Sequence, residues 1–278
     1  MEHHHEKYEE VLKLSGFSIN GYPPSILLTS KTQIGKSYMC KQIAKHFGIR
    51  YGYISGNSQT TKTDLLGYVN IEGVEVKSIF QDFYENGGLL VLEEFDTIPQ
   101  GVATALNTSI AGDSITSPSG KEIKRHKDFR LFVTTNTYDG ANSDYTARVK
   151  MDQASLERYY KVDMEIDTKL EKKIFGEEYK IIKWIRENLI PKGGHFSTGQ
   201  ANLFISAKSL GFKRALTMTA FRKNPEEMKY SDFKEKLKKI SFHNLNKYTE
   251  KELGEIYLGK ATPREYSEEE IKLLKESA

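Results

Sequence analysis

Residues 25–37 read Ser-Ile-Leu-Leu-Thr-Ser-Lys-Thr-Gln-Ile-Gly-Lys-Ser. Ser25 to Thr29 is a short apolar run of strand length, and such a run bounded by turn residues reads as a buried strand. A polar loop from Ser30 to Gly35 follows, then a helical pattern from Lys36 to His46 that stops at Gly48. Strand, glycine-containing loop and a helix opened by Lys-Ser form the context of a phosphate-binding loop. Loop and helix N–H groups would hold phosphates there, Lys36 would neutralise the outer oxygens, and the Ser37 hydroxyl would bind Mg²⁺. Ser30 stands where that pattern normally has glycine. The competing reading is an ordinary polar strand-to-helix turn.

Outward from this stretch, three more runs have strand character: Ile49 to Ser55, Gly87 to Leu92 and Phe129 to Thr135. Strands alternating with helices imply an α/β fold with a mostly parallel sheet covered on both faces. Ligands of such sheets sit at the carboxyl ends of the strands. The polar residues closing these strands are therefore the candidates for chemistry. They are the Ser30 loop, Glu93 and Glu94 after Leu89–Leu92, and Asn136 after Thr135. Of two adjacent acids at a strand end, Glu93 could hold Mg²⁺ or its water, and Glu94 could orient or deprotonate an attacking water. Asn136 could align that water, although a lone Asn is more often a turn former.

Two segments alternate like hairpins, Leu66 to Lys77 around Glu72-Gly73 and Ser114 to Lys127 around Pro118–Gly120. Arg158, in Met151 to Tyr159, ends a short helical segment before strand-like Lys161 to Met164. An exposed arginine there suits either a salt bridge or a charge offered to a neighbouring subunit's phosphate, with Arg148 as the second candidate. From about Asp167 the chain reads as helical, mixed in charge and rich in lysine, with a glycine-containing break at Lys192 to Gly199.

The composition narrows the class. With 278 residues, 38% hydrophobic and 28% charged, the chain is long enough for a real core and is neither disordered nor collagen-like. No apolar run approaches the ~18 residues of a membrane helix, and MEHHHEKYEE carries no secretory signature, so the expected setting is cytoplasmic with no membrane partner. Cys40 is the single cysteine and lies in the amphipathic helical stretch, which favours a packing role. His3, His4 and His5 could form a metal tract, but three flexible histidines at a terminus are more simply incidental. The net charge of +3 argues neither for nor against nucleic acid.

Taken in order, these elements resemble the AAA+ ATPases of the MoxR/CobS-like, dynein-related branch. The likeness spans roughly residues 20 to 215. It includes Thr63–Val69 (TDLLGYV), Leu92–Asp96 (LEEFD), Ala105–Asn107 (ALN), Arg125–Thr137 (RHKDFRLFVTTNT) and the LERY that ends at Tyr159. The resemblance implies a P-loop NTPase AAA+ core over residues 21–165, a parallel sheet sandwiched by helices with β-hairpin insertions. A lead-in over 1–20, a small helical lid over 166–222 and a mixed-charge tail over 223–278 complete the expected organisation. It further implies ATP and Mg²⁺. Ser30, Lys31, Thr32, Gln33, Ile34, Gly35, Lys36, Ser37 and Tyr38 would contact nucleotide, and Ser37 and Glu93 the metal. Glu94, Asn136 and Arg158 would act in catalysis. The family assembles as rings, usually hexamers, with ATP at subunit interfaces, and acts on a client or adaptor protein.

Three departures stand out: Glu93 where the family has Asp, Ser30 and Gln33 where it has glycine, and Gly199 where Ser197-Thr198 would be followed by a lid arginine. Lys208 and Arg214 are the nearest substitutes for that arginine. The expected function is a ring-forming, Mg²⁺-dependent ATPase that remodels or loads a partner protein. The alternatives are a nucleotide-binding assembly module with little hydrolysis, and a DNA-associated motor using the basic residues Lys121, Lys124, Arg125, His126 and Lys127. For that cluster a structural role is favoured over nucleic acid.

Overall fold

Alternation along the apolar runs decides how the sheet is covered. Successive strand side chains point to opposite faces, so a run with no polar interruption must be buried on both. In the computed structural model, which describes residues 3–136, 153–188, 190 and 195–207, this is what occurs. The strands are β1 (Ile26–Thr29), β2 (Tyr51–Ser55), β3 (Tyr68–Val69), β4 (Glu75–Val76), β5 (Gly88–Glu93), β6 (Ser114–Thr116), β7 (Glu122–Lys124), β8 (Phe129–Thr135) and β9 (Tyr160–Asp163). The helices are α1 (Tyr8–Gly16), α2 (Lys36–His46), α3 (Lys62–Leu66), α4 (Ile79–Asn86), α5 (Gln100–Ala111), α6 (Gln153–Leu156), α7 (Thr168–Phe175), α8 (Tyr179–Asn188) and α9 (Thr198–Ala207).

Five strands form one parallel sheet in the order β2-β5-β8-β1-β9. On one face Leu27, Leu90, Leu92, Leu131 and Val133 pack with Phe80, Tyr84, Phe95 and Leu106. On the other, Ile26, Leu28, Leu89, Val91 and Phe132 pack with Met39, Cys40 and Ile43 of α2 and with Tyr8 and Val11 of α1. Each fully buried side chain of this size contributes roughly 1.5–3 kcal/mol, so the two layers supply most of the driving force. The central strands β1, β5 and β8 end side by side, which gathers Ser30, Glu93 and Asn136 at one edge of the sheet.

The hairpins form as the alternation suggested: β3 with β4 across Gly73, and β6 with β7 across Gly120. They are tied together by Glu75, whose carboxylate accepts from Ser117 at 3.2 Å, from Ser119, and from Gln81 Nε2 at 3.3 Å. The first hairpin leaves Tyr68, Ile71 and Val74 exposed.

The turn before β1 is an Asn-Gly turn centred on Asn20-Gly21, both at positive φ (52° and 89°), and closes an Ile19–Tyr22 bridge. One expectation needs correction. The N-terminal histidine segment is tied to the fold by specific contacts. His5 is buried; its Nε2 lies 2.9 Å from the Glu165 carbonyl and its Nδ1 accepts from Lys7 N–H at 3.1 Å, which places the proton on Nε2. His4 stacks on Tyr8 at 3.8 Å, and the His3 carbonyl accepts from Gln42 at 3.0 Å. The neighbouring Glu6 N–H donates to Asp167 at 2.7 Å, while the other oxygen of Asp167 caps the first turn of α7. The basic cluster has a structural member, in keeping with the role favoured for it. Lys121, Lys124 and Lys127 are exposed, but Arg125 is buried, donating to the Ile110 carbonyl at 3.1 Å and the Pro23 carbonyl at 2.9 Å and lying over Tyr22 and Phe129.

The chain divides into two compact units, one ending at Leu170 and one beginning at Glu171. Within the second, Arg186 makes a two-pronged ion pair with fully buried Glu171 at 2.6 and 2.8 Å and donates to the Phe196 carbonyl at 2.9 Å. Thr198 donates to the same carboxylate at 2.6 Å. Ser197 and Gln200 cap α9 reciprocally, so Gly199 falls inside a well-formed helix start. Arg148, Lys208, Arg214, the tail over 223–278 and part of the helical region over 166–222 lie outside the described residues.

Candidate functional site

The loop between β1 and α2 turns on two left-handed residues, Gln33 at φ 61° and Gly35 at φ 104°. Alternating left- and right-handed residues turn successive N–H groups inward, a concavity suited to an anion. A Cβ placed on Gly35 would meet nothing within 4 Å, so the loop borders open space rather than packed protein. Gln33 carries a side chain in the left-handed conformation, which costs on the order of 1–2 kcal/mol outside glycine. Ile34 anchors the loop in the core at 7% exposure, whereas Lys31 and Gln33 are exposed and Thr32 half-buried. Tyr38, on the first turn of α2, is 58% exposed.

Lys36 is buried at its stem, and its ammonium is surrounded by oxygens, as a buried charge requires. Nζ donates to Ser30 Oγ at 2.7 Å and Asn136 Oδ1 at 2.8 Å, with the carbonyls of Ser30 and Lys31 at 3.4 and 3.5 Å. The Ser30 hydroxyl in turn donates to the Lys31 carbonyl at 2.7 Å. Beside this cluster the Ser37 hydroxyl donates to Glu93 Oε1. Ser30, Lys36, Ser37, Glu93 and Asn136, which lie up to 106 positions apart in the chain, thus meet at the ends of β1, β5 and β8.

Glu94 sits directly after β5 with φ 55°, its carbonyl accepting from Thr97 N–H and Oγ at 2.8 and 2.7 Å. An acid held in the left-handed region at a strand end is a strained, over-determined placement of the kind found at functional positions. Its side chain is exposed. Arg158 is also exposed, and it lies in the turn after α6 rather than at the helix end. Its segment is anchored by buried Ser155 and Tyr159, both bonded to Asn107 of α5. Asn107 was missed as a site-supporting residue; its only signal was membership of the Ala105–Asn107 motif. Behind the loop, burial pushes the Cys40 thiol well above the usual thiol range, and the nearby Glu93 charge adds to this.

The donor set fits a magnesium–triphosphate. Ser37 Oγ and Glu93 Oε1 already converge as two hard oxygen ligands, and Mg²⁺ takes one or two protein ligands beside phosphate and water. Glu93, one methylene longer than an aspartate, reaches Ser37. Among the described residues no group of three His, Cys, Asp or Glu side chains forms an all-protein metal site. No described helix is long and apolar enough to cross a membrane.

Residues 26–151 match the model of the AAA domain, dynein-related subfamily. No curated protein matches the chain in sequence. Among solved structures it is similar to a provisionally assigned ATPase from Cytophaga hutchinsonii, at 14% identity and a TM-score of 0.46 over 92% of this chain and 88% of that one. A likeness that weak says nothing about chemistry. The matched segment runs from β1 past β8, and with the 2-5-8-1-9 order of its parallel sheet the chain has the fold of an AAA+ P-loop NTPase.

Proposed function

We propose that this protein is a Mg²⁺-dependent ATPase of the MoxR/CobS-like kind that works as a homo-oligomeric ring, hexameric by analogy, on a client or adaptor protein in the cytoplasm. The observation that carries the nucleotide site is the meeting of Lys36 with Ser30 and Asn136, beside the Ser37–Glu93 pair, at the ends of three adjacent strands. Ser30 to Tyr38 hold the phosphates through loop N–H groups and Lys36. Ser37 and Glu93 hold Mg²⁺, which when bound offsets phosphate charge. Glu94 accepts a proton from the attacking water, Asn136 aligns that water, and the products are ADP and phosphate. Arg158, exposed on the first unit, completes the γ-phosphate site of the neighbouring subunit, an effect worth about 10³–10⁵ in rate where such arginines operate.

The test is ATP turnover against protein concentration, with Glu94→Gln and Arg158→Ala alongside. Turnover that rises steeply with concentration and is lost in both variants is expected. Turnover unchanged in Glu94→Gln removes the catalytic assignment.

A second reading, a nucleotide-binding assembly module with little hydrolysis, is favoured by Gly199. The position where a lid arginine would stand lies within the capped start of α9. It requires tight nucleotide binding with negligible turnover at every concentration. A DNA-associated motor is less well supported, because the central arginine of the basic hairpin is buried in the protein.

A further inference from the structure

We infer that Asn107 is a positioning residue for Arg158, its buried side-chain amide fixing the two residues that bracket the arginine. This rests on the reading that Arg158 serves a neighbouring subunit. Asn107 lies on α5, 5% exposed, and its Nδ2 donates to Ser155 Oγ at 2.5 Å. Its Oδ1 accepts from the Tyr159 hydroxyl at 3.2 Å. Ser155 and Tyr159 stand three residues before and one residue after Arg158, and both are buried, at 4% and 6% exposure. Both bonds persist if the amide is turned over, because each hydroxyl can donate or accept.

The bracketed turn is closed by its own backbone. Arg158 N–H donates to the Ser155 carbonyl at 3.3 Å and Tyr159 N–H to the Leu156 carbonyl at 3.1 Å. The turn then runs into the sheet at Tyr160, whose N–H donates to the Ser25 carbonyl at 2.9 Å, and the amide of Asn107 ties its two buried residues to α5. The Tyr159 ring also packs on Phe95, with centroids 5.7 Å apart, and Phe95 is the residue after Glu94. The arginine offered outward and the acid of the subunit's own site therefore ride on one packed pair. A long side chain is aimed in part by the backbone that carries it, and misplacement by about 1 Å can cost on the order of 10²-fold in rate.

The experiment uses the full chain carrying Asn107→Leu, a substitution of similar volume that takes hydrogen-bond partners from Ser155 and Tyr159. Turnover of the assembled protein is expected to fall at least tenfold. ADP binding to its own site should stay within about twofold, and adding Arg158→Ala should cost nothing further. Mixing separates positioning from general damage. Asn107→Leu protomers keep Glu94, and Glu94→Gln protomers keep a well-placed Arg158, so mixtures should exceed either variant alone. The Arg158→Ala and Glu94→Gln mixture is the reference. If that reference recovers activity and the Asn107→Leu mixture does not, Asn107 does not act through Arg158. Additive loss in the double variant would say the same. If the reference mixture also stays dead, the sharing of sites between subunits is wrong, and this role of Asn107 falls with it. Should Asn107→Leu fold poorly, Tyr159→Phe removes one of the two bonds and should show the same pattern with a smaller loss.

Discussion

Lys36 Nζ stands 2.8 Å from Asn136 Oδ1, so the cation of the β1–α2 loop and the amide after β8 are joined directly across the site. A γ-phosphate entering there must share or replace that bond. Asn136→Ala leaves Lys36 its Ser30 contact, so nucleotide affinity should change less than about threefold. Hydrolysis should fall on the order of 10²-fold, as when one positioned polar group is removed from an active site. Binding titration and phosphate release on the same preparation check both, and normal turnover would take Asn136 out of the site.

Ser30 introduces a competitor that a glycine would not. Its hydroxyl accepts from Lys36 at 2.7 Å and is itself fixed by the Lys31 carbonyl. Ser30→Gly should release one donor to the phosphates and tighten ADP binding about fivefold, the equivalent of one hydrogen bond of ~1 kcal/mol. Weaker binding would show that Ser30 holds Lys36 in the productive position instead.

Cys40 is fully buried behind the loop, and burial holds its proton on. Native protein should resist thiol-labelling reagents at pH 8 and react only on unfolding. The unfolded thiol ionises near its ordinary value of about 8.5 while the folded one stays neutral. The stability this group contributes is thus full below that pH and is lost as pH rises above it, by up to about 1.4 kcal/mol per pH unit. Denaturant titrations at pH 8 and 10 should show a steeper loss for the wild type than for Cys40→Ala.

Arg125 has its Nη atoms on two backbone carbonyls, while its Nε has no hydrogen-bond partner, and burial lowers its affinity for its proton. Arg125→Gln should cost about 2–3 kcal/mol, the scale of lost charged hydrogen bonds. Lys121→Ala, Lys124→Ala and Lys127→Ala should each stay within about 0.5 kcal/mol, as exposed positions do. Equal effects at all four would mean that Arg125 is not the structural member of the group.

The strands of the main sheet and the residues closing them were legible because a buried parallel strand leaves an uninterrupted apolar run, and because the loop before Lys36 needs its residue types in a fixed order. The boundary shifts were small: β2 begins at Tyr51 rather than Ile49, and β5 runs one residue further to Glu93. Tertiary contacts carried what was missed. His3 to His5 look unstructured in sequence, since nothing local announces the distant Glu165 and Gln42 that hold them. Arg125 reads as one more cation in a basic run, because its burial depends on carbonyls 15 and 102 residues away. Asn107 gave no chemical signal, its role being set by hydroxyls 48 and 52 residues further on.

The position of β1 has a consequence for how the chain is made. β1 emerges early, yet both strands that flank it, β8 and β9, come about a hundred residues or more later. At roughly 5–20 residues per second, Ile26 to Thr29 waits several seconds on the ribosome with both edges unpaired. A product ending where the family match ends, at residue 151, would lack β9 and leave one edge of β1 open permanently. Such a fragment should aggregate by edge pairing, whereas extending it past Asp163 should cover apolar β1 and leave β9 at the border, a strand whose exposed Lys161 and Asp163 disfavour edge pairing.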